Sequence, residues 1–182
     1  MNREIGLIAV VLVVSGLVVG ASAFTTGAVE RSANVQVVPD SSGLIGLEDG
    51  TSGNIVSTNT SGALSIDFAQ GSATGVNAEA YFEVGNPNDA VNGSAFNITN
   101  NDGQSHDITV SYTPVATGDT SENVQFRIYD STGALVTTVS EENTSQTIQT
   151  VASGATHHVV IVVDTKGVSS GTDLSGTLNV SA

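Results

Sequence analysis

The sequence contains no cysteine and no tryptophan, and it has four lysine and arginine residues against eighteen aspartate and glutamate residues. Without cysteine, the fold cannot be held by disulfides, on which many small exported domains rely. A net charge of −14 leaves too few cations for phosphate contacts, which excludes nucleic acid as a partner and disfavours anionic lipid headgroups. The scarcity of aromatic residues argues against a stacking platform for sugars or bases.

The acidic excess, with almost no lysine, is typical of proteins adapted to high salt. At molar salt the Debye length falls to about 3 Å, so the repulsion within a dense acidic surface is screened. An ordinary acidic secreted protein is the alternative interpretation. Charged residues make up only 12% of the chain and apolar residues 39%, so we predict a folded domain and not a disordered one.

The N-terminus has the pattern of an export signal. A positive start is followed by an uncharged apolar run over residues 5–19 and by small residues at Ala21 and Ala23, which form an A-x-A cleavage site. We therefore predict a hydrophobic signal helix over residues 1–23, cleavage between Ala23 and Phe24, and one domain over residues 24–182. If the signal stays uncut, its apolar residues suffice to span a bilayer and tether the domain, which would be the protein's only membrane contact.

Beyond the signal, short β-rich runs alternate with clusters of Gly, Asn, Asp, Ser and Thr, and no amphipathic helical period is found. This pattern predicts an all-β fold: a two-sheet sandwich, jelly-roll or immunoglobulin-like, of about eight to ten strands. An almost wholly apolar run at 159–163 predicts a central strand covered on both sides. The predicted strands are residues 33–38, 63–68, 79–84, 95–99, 106–112, 123–129, 134–139, 156–164 and 175–180.

Three connections are also predicted from local sequence. Residues 43–47 and 71–75 are either a short helical turn or loop. Asp102 and Gly103 follow a strand, and we expect the Asp-Gly pair to supply the positive φ of a tight connection.

Five sites match the N-x-[ST] acceptor pattern for N-glycosylation. Asn59, Asn92 and Asn143 lie in predicted loops and are the candidate glycan acceptors, whereas Asn97 and Asn179 lie within predicted strands. Chance is the competing explanation, because a chain rich in Asn, Ser and Thr produces such matches by composition alone.

No catalytic or cofactor motif is found in the sequence. His157 and His158 are adjacent in a predicted strand and would point to opposite faces, so they cannot readily hold one metal together. Glu48 with Asp49, and Asp119 with Glu122, could supply calcium ligands, but an acidic solvated surface explains them as well. We therefore predict a protein that is not an enzyme and has no metal or other cofactor.

The head of the predicted mature chain is apolar and has no obvious partner. Phe24, Val29, Val35 and Val37 belong to this segment, residues 24–38, which lies directly behind the cleavage site. The segment could pair within its own sheet, or it could cross to a neighbouring molecule and add a strand there.

Four stretches carry a resemblance to a known family: residues 23–50 (AFTTGAVERSANVQVVPDSSGLIGLEDG), 62–68 (GALSIDF), 75–86 (GVNAEAYFEVGN) and 96–112 (FNITNNDGQSHDITVSY). Together they resemble a family of haloarchaeal exported proteins, which implies export and no particular activity. In layout the chain is more distantly similar to camelysin and the biofilm-fibre subunits related to it, which are exported β-sandwich proteins. That resemblance implies assembly by donation of an N-terminal strand, with residues 24–38 as the donor.

These observations predict a non-enzymatic structural protein located outside the cell or on its surface, with copies of itself or related surface proteins as partners. A filament or biofilm-matrix subunit is the most specific form of this hypothesis. Two alternatives remain at this stage: a secreted module that binds calcium or a glycan, and a hydrolase. A hydrolase would need His106, His157 or His158 in a Ser/His/Asp or metal cluster.

Overall fold

The structure is a computed structural model, and it describes residues 35–115 and 122–182 of the 182-residue chain. The chain divides into two compact units, Met1–Gln36 and Val37–Ala182. Every element described below belongs to the second unit. The predicted signal helix, the cleavage site at Ala23 and Phe24, and Val29 of the predicted donor segment lie outside the described residues, as does Asp119.

The described residues form an all-β unit whose only helix is one short 3-10 turn. Apolar and β-branched residues in short runs, separated by Gly, Asn and Asp, favour strands over helices throughout. The elements are the turn Asp40–Ser42 and the strands β1 (Ile45–Asp49), β2 (Val56–Thr58), β3 (Leu64–Ile66), β4 (Tyr81–Val84), β5 (Phe96–Asn100), β6 (His106–Pro114), β7 (Val124–Tyr129), β8 (Leu135–Ser140), β9 (Ser145–Val151), β10 (Thr156–Asp164) and β11 (Gly176–Ser181).

The strands form three antiparallel sheets. The large sheet has the order β1-β5-β10-β7-β8, and β4 pairs with the second half of β10 beyond the end of β5. The small sheet has the order β11-β6-β9, and β2 and β3 form a separate hairpin. This arrangement is consistent with a β-sandwich.

Strand β10 is the centre of the large sheet, as its apolar run predicted. Its five residues Val159–Val163 are all buried, and β5 and β4 pair along one side of it while β7 pairs along the other. On the outer face, Val160 packs in a small cluster with Ala90 and Tyr129. Ala90 belongs to the segment between β4 and β5, so this excursion supplies part of the cover over the central strand.

The core lies between the large and small sheets and contains residues of both. On β6 every second residue is apolar and faces the core, since Ile108, Val110 and Tyr112 are buried. They share one apolar cluster with Phe126 of β7 and Phe96 of β5, and the rings of Tyr112 and Phe126 lie 5.2 Å apart. Burial of such a cluster is the main stabilising contribution open to a chain without disulfides.

Eight of the nine predicted strands are confirmed to within about three residues at each end. The predicted strand at 33–38 is wrong in its described part, because residues 35–39 adopt no regular structure. The segment 43–47, predicted as helical turn or loop, instead runs into strand β1, which pairs with β5 from Ile45↔Asn100 to Asp49↔Phe96.

The prediction of a positive φ at Gly103 is also wrong, because the φ of Gly103 is not positive. Side-chain hydrogen bonds organise this connection instead of a tight two-residue turn. The buried Asn100 donates from Nδ2 to the carbonyl oxygens of Gln104 (2.8 Å) and Val151 (2.9 Å), and its Oδ1 accepts from the amide of Asp102 (3.1 Å). A glycine conformation is therefore not needed there.

Candidate functional site

The small sheet has two edge strands, and they differ in regularity. Strand β11 pairs with β6 in an unbroken register from Gly176↔Pro114 to Ser181↔Thr109. Strand β9 pairs with the other side of β6, but its register shifts between His106 and Ile108. A straight edge presents a row of N–H and C=O groups on which another strand can pair, whereas a bulged edge does not.

A cleft of about 1130 Å³ opens beside the straight edge. Leu178 and Val180 of β11 line one side of it, and Leu64, Ile66 and Phe68, in and just after β3, also line it. All five side chains are only partly buried, although they pack against the main core. The apolar side chains of the inner face are thus incompletely covered here, and polar residues such as Ser65 and Thr177 line the cleft beside them.

Carboxylates at this cleft accept hydrogen bonds from nearby backbone amides. An oxygen of Asp40 accepts from the amide of Leu64 (2.8 Å), and Asp67 accepts from the amide of Ala69 (2.8 Å). Asp173 accepts from the hydroxyl and the amide of Ser175, and the hydroxyl bond holds the pKa of Asp173 below its usual value. These carboxylates stabilise the local backbone around the cleft, and they are not arranged as an acid and base pair.

Tyr112 lies where the cleft meets the core. Its hydroxyl donates to the carbonyl oxygen of Leu174 (3.0 Å), and burial raises the pKa of its phenol to about 12. The phenol is therefore neutral and serves as a hydrogen-bond donor that fastens the loop before β11. Among the described residues, no histidine, lysine or arginine lines the cleft.

Two of the four predicted donor residues are described. Val35 is 88% exposed and Val37 is 96% exposed, and neither lies in a strand. Polar Gln36 separates the two valines, so in an extended conformation both would point to one face. The donor segment therefore carries exposed apolar side chains at strand spacing.

Within the described residues, the hydrogen bonds of the histidine side chains go to Asp102 and Asn97 and not to a serine or threonine hydroxyl. His106 Nε2 lies 2.5 Å from Asp102 Oδ2, and this contact lowers the pKa of Asp102. His158 Nδ1 contacts Asn97 Oδ1 at 2.8 Å, whereas the buried Nδ1 of His157 has no hydrogen-bond partner within the described residues. Burial lowers the pKa of both His157 and His158.

In residues 35–115 and 122–182, no group of three or more His, Cys, Asp and Glu side chains could hold a metal ion. Glu48 and Asp49, the candidate calcium ligands, lie at the exposed end of β1. Glu122, from the second candidate pair, accepts a hydrogen bond from the hydroxyl of Ser140 (3.1 Å). The same part of the chain contains no helix that is long and apolar enough to cross a membrane.

The glycan candidates Asn59, Asn92 and Asn143 are exposed and lie in loops, between β2 and β3, β4 and β5, and β8 and β9. Asn97 lies in β5 and Asn179 in β11, so the predicted division between loop and strand positions is confirmed.

No protein-family model and no curated protein matches the chain. The site must therefore be interpreted from its own residues. The sequence pattern predicted a strand at residues 175–180, but it gave no sign that a cleft lies in front of Leu178 and Val180. The cleft depends on the β2–β3 hairpin and on the loops 67–77 and 170–175, whose positions follow from packing and not from any local motif.

Proposed function

We propose that this protein is a non-enzymatic structural subunit of the cell surface or extracellular matrix, exported by its N-terminal signal. In this proposal it is a jelly-roll or immunoglobulin-like sandwich of the haloarchaeal exported type, related in layout to camelysin-like fibre subunits. Copies link when residues 24–38 of one subunit enter the cleft of the next and pair with β11.

The proposal rests on two features that complement each other: an edge strand that has no partner on its outer side within the described residues, and a segment with exposed apolar side chains. One is the straight edge of β11 beside a cleft whose apolar lining is only partly buried. The other is the donor segment, with Val35 and Val37 almost fully exposed. Strand addition satisfies both, since main-chain bonds form along the edge while alternate side chains enter the cleft.

The energetics set a minimum length for the donor. Burying a valine side chain contributes roughly 1.5–3 kcal/mol, so Val35 and Val37 together contribute about 3–6 kcal/mol. Association costs about 4–15 kcal/mol in lost freedom and ordering. Most of this cost range exceeds the gain from two valines, so we expect a stable joint to need the donor residues back to Val29 and Phe24 as well.

Removing the donor tests the proposal directly. We expect the mature chain to form polymers in molar KCl and a variant lacking residues 24–38 to remain monomeric, as measured by light scattering and electron microscopy. A double variant Val35→Asp and Val37→Asp should also fail to polymerise. The matched control is Leu135→Asp with Val136→Asp, which charges two other exposed apolar residues, on β8, and should leave assembly intact. Polymers formed without residues 24–38, or no polymer from the mature chain at any salt, would reject strand donation.

A second experiment separates donation between copies from pairing within one copy. The chain has no cysteine, so each introduced thiol is unique. Subunits carrying Gln36→Cys are mixed with subunits carrying Asn179→Cys on β11, because both positions face away from the cleft when Val35 and Val37 enter it, and oxidation should give a dimer disulfide. As the control, subunits with Gln149→Cys on the bulged edge strand β9 replace the β11 variant, and they should form little of the dimer disulfide. If only a double variant carrying both cysteines on one chain forms a disulfide, the segment fills its own cleft.

Export is tested separately. The protein recovered from the cell surface and medium should begin at Phe24, as determined by N-terminal sequencing. A chain found only in the cytosol with Met1 intact would reject the localisation.

The cleft also favours a second candidate function, a secreted binding module. Its volume of about 1130 Å³ is slightly above the roughly 300–1,000 Å³ of small-molecule sites, and both polar and apolar residues line it. A ligand that raises the melting temperature of the variant lacking residues 24–38, but not that of the polymer, would support this function.

A further inference from the structure

The five N-x-[ST] sites differ in what their amide side chains do. Sequence alone gives them the same pattern, and exposure separates only Asn97, which is half-buried in β5. The hydrogen bonds of each side chain discriminate further. Glycosylation requires an accessible Nδ2 together with the hydroxyl two residues on, so both atoms can be inspected at each site.

Asn59 lies in the turn of the β2–β3 hairpin, and its Oδ1 is fully engaged. This oxygen accepts from the amide of Ser61 (3.0 Å), the hydroxyl of Ser61 (2.6 Å) and the amide of Ala63 (3.0 Å). Within the described residues, its Nδ2 donates no hydrogen bond. The side chain is thus held in one orientation by its oxygen, which leaves the nitrogen free toward solvent.

The two other loop sites have the opposite arrangement. Asn92 donates from Nδ2 to Asp89 Oδ1 at 2.9 Å. Asn143 donates from Nδ2 to the carbonyl oxygen of Thr138 at 3.1 Å, and its Oδ1 accepts from Gln146 at 2.7 Å. A sugar on either nitrogen must leave the remaining N–H in place to keep these bonds, which restricts the approach of a transferase.

At the two described sites in strands, Asn97 and Asn179, the asparagine side chain makes no hydrogen bond to the hydroxyl two residues on. Asn97 Oδ1 instead accepts a hydrogen bond from the hydroxyl of Ser94 and contacts His158 Nδ1. Asn179 is exposed but lies in the regular part of β11, where its partner is Ser111. Of the described sites, Asn59 alone has a hydrogen bond between its side chain and the sequon hydroxyl. That bond, donated by Ser61 to the amide oxygen, draws electron density from the nitrogen and makes its proton easier to lose.

We propose that Asn59 is an N-linked glycan acceptor of this protein and that Asn92 and Asn143 are not; the proposal rests on the proposed export. In the transfer step, Nδ2 forms a bond to the anomeric carbon of a lipid-phosphate-linked oligosaccharide. The bond between that carbon and the phosphate oxygen breaks, and the lipid phosphate leaves with the electron pair. A membrane-bound transferase accepts the proton lost from Nδ2. Asn59 is not among the residues lining the cleft, so the glycan leaves strand addition unobstructed.

The test is glycopeptide mass spectrometry of the full-length protein purified from the surface and medium of its native cells. We expect the peptide containing Asn59 to carry a hexose-containing mass increment and the peptides containing Asn92 and Asn143 to carry none. Asn59→Asp is the sharpest variant, because a carboxylate keeps the three accepted hydrogen bonds but has no nitrogen to modify. It should lose the increment while keeping the melting temperature of the unglycosylated protein. Ser61→Ala should also lose the increment, whereas Ser61→Thr should keep it.

The outcomes separate this proposal from the proposed function. If the protein is exported but the Asn59 peptide is unmodified, the glycan proposal fails while the structural role stands. If Asn92 or Asn143 is modified and Asn59 is not, the argument from side-chain geometry is wrong. If the chain is cytosolic and unmodified, both proposals fail.

Discussion

The two lateral sides of this domain differ in how their edge strands are finished. On one side, β8 ends the large sheet and β9 ends the small sheet, and both have an irregular register. On the other side, β1 and β11 pair with their neighbours without a shift. We refer to these as the bulged side (β8 and β9) and the straight side (β1 and β11).

The bulged side is also joined by side chains. The hydroxyl of Thr137 on β8 donates to Gln146 Oε1 on β9 at 3.2 Å, and Gln146 Nε2 donates to Asn143 in the connecting loop. On the straight side, a cleft with partly buried apolar residues in its walls opens beside β11. Bulges are a known means of protecting edges from unwanted pairing. The comparison suggests that one side of this domain is closed to other strands and the other is left available.

The strongest test of this contrast is a pair of alanine substitutions in the small sheet. Ile148 on β9 is 3% exposed, whereas Leu178 on β11 is only partly buried. We expect Ile148→Ala to cost roughly 2–5 kcal/mol of the free energy of unfolding, because it leaves a cavity in the core. Leu178→Ala should cost the monomer much less and weaken polymer formation more. Denaturant unfolding of the variants lacking residues 24–38 measures the first quantity, and equal costs at the two positions would contradict the contrast.

A second prediction concerns the packing at the start of β11. A Cβ added to Gly176 would lie 2.3 Å from Cζ of Tyr112, so the ring would have to move. We expect Gly176→Ala to lower the free energy of unfolding by about 1–3 kcal/mol, the usual cost of overpacking. The matched control is Gly103→Ala, since a Cβ at Gly103 meets nothing within 4 Å. A thermal melt in molar KCl should distinguish the two, and an unchanged Gly176→Ala would show that Tyr112 does not fasten the straight side.

Much of the fold could be predicted from alternation of residue type, and the failures have identifiable causes. Alternation located β6 and β7, and the continuous apolar run at 159–163 marked β10 as central. Alternation missed β9 because Ile148 and Val151, the two buried apolar residues of that strand, are three residues apart. The bulge lets both face the core, and a period of two cannot reveal it. The predicted strand at 33–38 has the correct alternation, but the described structure contains no partner strand for it.

The candidate site was less predictable than the fold. Local patterns predicted the strand that contains Leu178 and Val180, and they placed Asn59, Asn92 and Asn143 in loops. They could not reveal the cleft, because its far wall comes from residues more than one hundred positions away in the chain, such as Leu64. Nor could they rank Asn59 above Asn143, since the ranking depends on the hydrogen bonds that each asparagine side chain makes in the folded chain.

A third prediction tests whether the bulge on β9 is maintained against strain. Thr150 has a φ of 52°, a conformation that is unfavourable for a β-branched residue, and its amide donates to Asp107 Oδ1 at 2.7 Å. We expect Thr150→Gly to stabilise the domain by up to about 1 kcal/mol. Thr147→Gly, at an ordinary position of the same strand, should destabilise it by roughly 0.5–1 kcal/mol. Opposite signs in denaturant unfolding support the strained bulge, and equal losses would contradict it.

The smallest expected effect is a pH dependence confined to the part of the domain away from the cleft. Burial lowers the pKa of His157 from 6.5, while nearby Asp130 opposes that shift and His158 adds to it. The unfolded chain therefore binds more protons than the folded one as the pH falls through 6.5, so stability declines below that pH. Protonation of carboxylates with a lowered pKa, such as Asp102 and Asp173, reduces stability only near or below pH 3.8.

Between pH 7.5 and 5.5 the melting temperature should fall, and His157→Leu should flatten that fall. Because no histidine lines the cleft, polymer formation at a temperature well below the melting transition should be unchanged over the same range. A polymer that dissolves at pH 5.5 while the monomer stays folded would place a titrating group at the joint and contradict the separation of the two regions.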